Sequence, residues 1–127
     1  MTASEQSRED FVNEFCTKWN ERDAEKLIPY LAEDIEYHVF EGGKFIVNGV
    51  DQFREQMTQF MAGMKEIRWE IKRSHSMGDL VFNERIDHFI LPSGEDFPRS
   101  PFHVTGVFLV RDGKIKYWKD YNLLNEG

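Results

Sequence analysis

Cysteine is almost absent. Cys16 is the single one in 127 residues, so no internal disulfide can form and the fold must rest on packing. Set in an apolar helical stripe, Cys16 reads as a small buried hydrophobe rather than a nucleophile. Positive charge is also scarce. Sixteen Lys and Arg face 23 Asp and Glu, for a formal net charge of -7. That balance argues against a nucleic-acid partner, which needs clustered cations, and against an anionic membrane surface. No apolar run approaches the ~20 residues of a membrane span. Met1 to Asp10 is polar and acidic with no apolar run behind it, which predicts a cytoplasmic protein without a leader. His38, His75, His88 and His103 stand apart, without metal-ligand spacing. There is no phosphate-cradling glycine loop and no nucleophile elbow. Neither a metal nor an organic cofactor is expected.

Aromatic residues, by contrast, are plentiful: 11 Phe, 4 Tyr and 3 Trp. They suit a broad core or an apolar cavity. The length predicts one domain over residues 1–127, large enough to bury a real core. Ser4 or Ser7 is placed to cap a first helix, along which Phe11, Val12, Phe15, Cys16 and Trp19 recur at helical spacing. A shorter helix is expected over Ala24–Leu31, loosened by Pro29. Ile35–Phe40 reads as a strand, Gly42-Gly43 as a turn and Phe45–Val47 as an extended piece. A third helix follows over Val50–Met64, with Phe53, Met57, Phe60, Met61 and Met64 as its stripe. From there the period changes to two. Ile67–His75, Leu80–Ile90, Phe102–Arg111 and Lys114–Leu123 read as strands, the last two joined by the hairpin signal Asp112-Gly113. Pro92 to Pro101 reads as a polar loop. This order predicts an α+β fold, with three helices over the concave face of a curved, mostly antiparallel sheet.

The strand Leu80–Ile90 carries the densest chemistry. Alternation puts Val81, Asn83, Arg85, Asp87 and Phe89 on one face. A guanidinium and a carboxylate among apolar neighbours form either a solvated pair of little consequence or a polar site in an apolar hollow. On the last strand, Lys116, Trp118, Asp120 and Asn122 share a face. If both faces turn toward the helices, Arg85 lies between two carboxylates. An Arg fork can satisfy both, and two neighbouring carboxylates ionise unequally. That would place an acid and a base in one pocket.

The order helix–helix–strand–helix–sheet resembles the nuclear-transport-factor-2-like superfamily, a cone-shaped α+β barrel. Within it, Arg85-Ile86-Asp87 with Trp118-Lys119-Asp120-Tyr121 resembles limonene-1,2-epoxide hydrolase. Thr105-Gly106-Val107-Phe108 and Asp112-Gly113-Lys114-Ile115 look like that family's final hairpin. The resemblance implies addition of water to an epoxide of a small, mostly apolar molecule. It casts Asp120 as the base that activates water, Asp87 as the acid on the epoxide oxygen, and Arg85 as the bridge between them. Tyr37 stands at the position of a water-holding Tyr. Val39 stands where the family has a water-holding Asn, with Asn83 and Asn122 at the right parity to replace that contact. Phe15, Trp19, Val39, Met57, Phe60, Met61, Asn83, Phe89, Phe102, Val104, Trp118 and Asn122 are the expected pocket walls.

Two other readings remain open. SnoaL-like cyclases and ketosteroid isomerases share this fold and move protons with a carboxylate. In that case Tyr37 would donate to a developing oxyanion. A non-catalytic ligand-binding dimer is the other. A homodimer is expected through the outer sheet face, where Phe82, Ile86, His88 and Ile90 continue into His103, Thr105, Val107 and Leu109.

Overall fold

The computed structural model describes residues 2–39 and 45–122. Helix α1 (Ala3–Lys18) is capped by Thr2 rather than by either expected serine. The Thr2 hydroxyl accepts from the Glu5 N–H at 3.1 Å, and the Glu5 carboxylate accepts from the Thr2 N–H at 2.8 Å. This reciprocal pair satisfies two otherwise orphaned donors at the helix start. Val12, Phe15 and Cys16 form the buried stripe of α1.

The second helical segment is a pair of 3₁₀ turns, Ala24–Lys26 and Ile28–Tyr30, instead of a continuous α-helix. Asp23 caps the first, and Pro29 sits in the opening turn of the second. Pro tolerates that position, where its missing N–H is not needed, but would break a longer helix. Strand β1 (Leu31–Val39) therefore begins at Leu31, four positions before the expected Ile35. Strand β2 (Phe45–Asn48) and helix α2 (Val50–Ala62) follow. The expected turn at Gly42-Gly43, together with Phe40 and Leu123, lies outside the described residues.

Strands β3 (Glu66–Met77), β4 (Leu80–Ile90), β5 (Phe102–Arg111) and β6 (Lys114–Asn122) complete a six-stranded sheet of order β2-β1-β6-β5-β4-β3. It is mixed and open. The pair β1–β6 is parallel, and every other neighbouring pair is antiparallel. The register shifts within β1–β6, β3–β4 and β5–β6. Such bulges bend strands and deepen their twist, which curves a sheet over its contents. One bulge corrects the expected facing of β6. Around it Ile115 is buried and Lys116 is exposed, where it pairs with Asp34 at 2.9 Å.

Helix α1 packs against β3 and β4, and α2 against β1 and β2. The face they cover carries the core. On β4 burial alternates along the strand, and Val81, Asn83, Arg85, Asp87 and Phe89 are the buried set. The fold is thus α+β, with three helical segments on one face of a curved, mostly antiparallel sheet.

Candidate active site

Three neighbouring strands bring the polar residues together. Asn83, Arg85 and Asp87 project from β4, Gly106 lies opposite Asn83 on β5, and Asp120 lies opposite Gly106 on β6. Gly106 leaves the room that Arg85 fills. The Arg85 fork grips Asp87 through both oxygens, Nε to Oδ1 at 3.0 Å and Nη2 to Oδ2 at 2.9 Å. The same Nη2 donates to Asp120 Oδ2 at 3.1 Å, and Nη1 donates to Asn83 Oδ1 at 3.1 Å. Asp120 Oδ1 accepts from the Trp118 indole at 2.7 Å, and Oδ2 accepts from the Tyr37 hydroxyl at 3.3 Å. Arg85, Asp87 and Asp120 are each 0% exposed. Of the two readings open in the sequence, the buried polar site is therefore the one realised, not the solvated surface pair.

A fully buried cluster with two carboxylates and one guanidinium carries an excess negative charge unless it holds a proton. Burial pushes the Asp120 carboxyl above the usual carboxylate range; the Asp87 charge adds to this, and Arg85 and Trp118 oppose it. Burial disfavours the Arg85 charge, but Asp120 and Asp87 outweigh it and hold the guanidinium firmly protonated. Burial thus favours the neutral form of Asp120, while both oxygens of Asp87 accept from the Arg85 fork. Burial also pushes the Cys16 thiol up to about 12, so it is an inert neighbour.

A second chain of hydrogen bonds leaves the cluster on the α1 side. Asn83 donates to Asn13 Oδ1 at 3.2 Å and to Cys16 Sγ at 3.4 Å. Asn13 donates to Ser74 Oγ at 3.0 Å, and Ser74 donates to Glu9 Oε2 at 2.9 Å. Glu9 accepts at one end, and Arg85, which can only donate, closes the other. These two ends fix the direction of every amide and hydroxyl between them, and so the orientation of Asn83 beneath Arg85.

Beside the cluster is a cavity of about 580 Å³. Its wall includes the expected Trp19, Tyr37, Val39, Met57, Phe60, Phe89 and Phe102. Phe45, Gln56, Gln59, Trp69 and Phe97 join them without having been anticipated. Phe97 was hidden because its loop reads as polar. Its N–H donates to Phe89 O at 2.9 Å, which folds the loop back so that its ring meets Phe60 and Phe89. Six expected wall residues are elsewhere. Phe15, Met61, Val104 and Trp118 are core, and Asn122, at the last position of β6, is exposed. Asn83 lies under Arg85 instead of in the wall. Arg85, Asp87 and Asp120 do not line the cavity either. Trp69 covers Arg85, with the guanidinium carbon 4.3 Å from the ring centroid. Tyr37 joins the two by a hydrogen bond: it lines the cavity and its hydroxyl reaches Asp120. Among the described residues no group of three His, Cys, Asp or Glu is placed to hold a metal ion. No helix among them is long and apolar enough to cross a membrane.

The sequence model of the SnoaL-like domain matches residues 12–118, from the first helix through the strand that carries Trp118. The chain belongs to the SnoaL-like domain family. Solved structures agree with this SnoaL-like architecture. An LEH-like epoxide hydrolase from M. tuberculosis superposes with a TM-score of 0.76 at 25% identity, covering 94% of this chain and 85% of that one. SalBIII, an epoxide hydrolase/cyclase-like enzyme of pyran ring formation in the polyether salinomycin, gives 0.79 at 19% identity, over 94% and 93%. A protein of ketosteroid isomerase-like fold from Catenulispora acidiphila, in complex with trimethylamine, gives 0.71 at 20% identity, over 87% and 83%. The SnoaL-like chain therefore shares its fold with enzymes of more than one chemistry.

Proposed function

We propose that this protein binds a small, mostly apolar molecule in the aromatic cavity and adds water to an epoxide on it, using the Arg85–Asp87–Asp120 cluster through Tyr37. The observation that carries this reading is the double membership of Tyr37 in the cavity wall and in the cluster. Opening an epoxide requires a proton for the oxygen of the breaking C–O bond and removal of one from the attacking water. In this reading the Tyr37–Asp120 hydrogen bond reverses when substrate binds. Asp120 donates to the Tyr37 oxygen as the Tyr37 proton passes to the epoxide oxygen, and the ionised Asp120 recovers the second proton from the water by the same route through Tyr37. The water oxygen bonds to the epoxide carbon, a vicinal diol leaves, and the cluster ends with the protons it began with. Arg85 and Asp87 hold Asp120 in register and set its charge. The LEH-like relative at 25% identity supports the same chemistry.

The experiment is a panel of cyclic and linear epoxides in ¹⁸O-labelled water. Diol carrying one labelled oxygen is the expected product. Absence of turnover on every member contradicts the reading.

A second reading has its own observation. Arg85, Asp87 and Asp120 are wholly covered, so a cavity that binds without catalysis, over a cluster kept for structure, is the alternative. In that case carbonyl and hydrocarbon ligands bind and no epoxide is opened. We further infer a homodimer through the outer sheet face, where Phe82, Ile86, His88, Ile90, Thr105, Val107 and Leu109 are half-buried and His103 is exposed in the single chain.

A further inference from the structure

Among the described residues, two buried side-chain polar atoms lack a hydrogen-bond partner: the indole nitrogens of Trp19 and Trp69. Both residues are 2% exposed. They are not scattered. The two rings stack with centroids 4.2 Å apart and planes 11° from parallel, and both belong to the cavity wall. Buried polar groups in folded proteins are nearly always paired, so unmet ones call for an explanation. Two donors without a protein partner in one stack, in the wall of one cavity, are available to an acceptor that enters it. The third indole, Trp118, has its partner in Asp120.

An indole N–H donates and never accepts, so that atom is an acceptor. Among the described residues no charged side chain lines the cavity, so they offer a buried carboxylate or phosphate no counter-ion there. Met57, Phe60, Phe89, Phe97 and Phe102 offer only an apolar surround to the remainder. We propose that the ligand is a neutral, largely apolar molecule bearing a carbonyl or ether oxygen, and that the indole N–H groups of Trp19 and Trp69 recognise that oxygen. The proposal rests on the small-molecule reading of the cavity but requires no epoxide. Neither nitrogen is exposed at the wall surface, so a ring must turn to present its N–H. Because Trp69 lies over Arg85, the same turn loosens the cover of the cluster.

Camphor and its parent hydrocarbon bornane test this, since they share a skeleton and differ by one carbonyl oxygen. The full chain is labelled with ¹⁵N at its three indoles and titrated with each. Camphor is expected to move the Trp19 and Trp69 indole proton resonances downfield while Trp118 changes least. Bornane is expected to move none of them downfield. In Trp69→Phe and Trp19→Phe the ratio of camphor to bornane affinity is expected to fall about tenfold. Equal effects of the two ligands, an unaltered ratio, or failure of camphor to bind would overturn the proposal. The resonance shifts on the wild type decide the matter even if a variant fails to fold. Camphor recognition without epoxide turnover would keep this inference and remove the catalytic one. Turnover without indole shifts would do the opposite.

Discussion

Arg85 occupies the space that a side chain on Gly106 would need. A Cβ at position 106 would lie 2.5 Å from Arg85 Nη1 and 3.0 Å from Asp120 Oδ1. Four hydrogen bonds hold Arg85 there, so it cannot swing aside as a surface Arg would. The glycine is required here for room rather than for backbone freedom. Gly106→Ala is expected to destabilise the fold by about 1–3 kcal/mol, as overpacking of a rigid core does. Urea melts of the variant should show a lower midpoint with an unchanged slope.

Asp120 should leave a signature in the pH dependence of stability. Its folded pKa is raised above the ordinary value, which is about 3.9 for a free Asp. Folding therefore takes up a proton between the two values. Stability falls as pH rises from about 4 through that window and levels off above the folded pKa. Glu21, Asp34 and Glu70 are lowered by their cationic or His partners and contribute the opposite slope at lower pH. The difference between wild type and Asp120→Asn isolates the Asp120 part. It should decline with rising pH above about 4; parallel curves would contradict the assignment of the proton.

Val39 lines the cavity two residues along β1 from Tyr37. An amide there would add a polar group on the Tyr37 side of the cavity, able to hold a water if the proposed epoxide opening takes place there. Val39→Asn is expected to raise the rate of diol formation several-fold with little change in KM. Initial rates at saturating epoxide measure this.

The outer face of β4 and β5 leads to a mass prediction. Light scattering at micromolar concentration should give twice the 15.1 kDa chain mass. Ile86→Lys should shift the mass toward that of one chain.

Alternation along β4 made Arg85 and Asp87 legible as one face, and the parity of Trp118 and Asp120 survived on β6. Lys116 was misplaced because a bulge adds a residue that the two-residue period does not announce. The helix read over Ala24–Leu31 became 3₁₀ turns, since apolar spacing alone does not separate the two. Asp112-Gly113 announced the β5–β6 hairpin, but the parallel neighbourhood of β1 and β6 that brings Tyr37 to Asp120 was beyond the sequence. Trp69 and Phe97 entered the wall through long-range packing, for which a strand full of charges and a polar loop gave no sign. The complete burial of the cluster was equally hidden, because it depends on Trp69 folding over Arg85 from the sheet edge.

The most direct test compares initial rates of epoxide opening by wild type and Asp120→Asn, each first shown to be folded by circular dichroism. If Asp120 holds the proton that Tyr37 delivers, the substitution should lower kcat by at least about a hundredfold, the usual scale of a lost acid–base group. Equal rates for the two proteins would contradict the account.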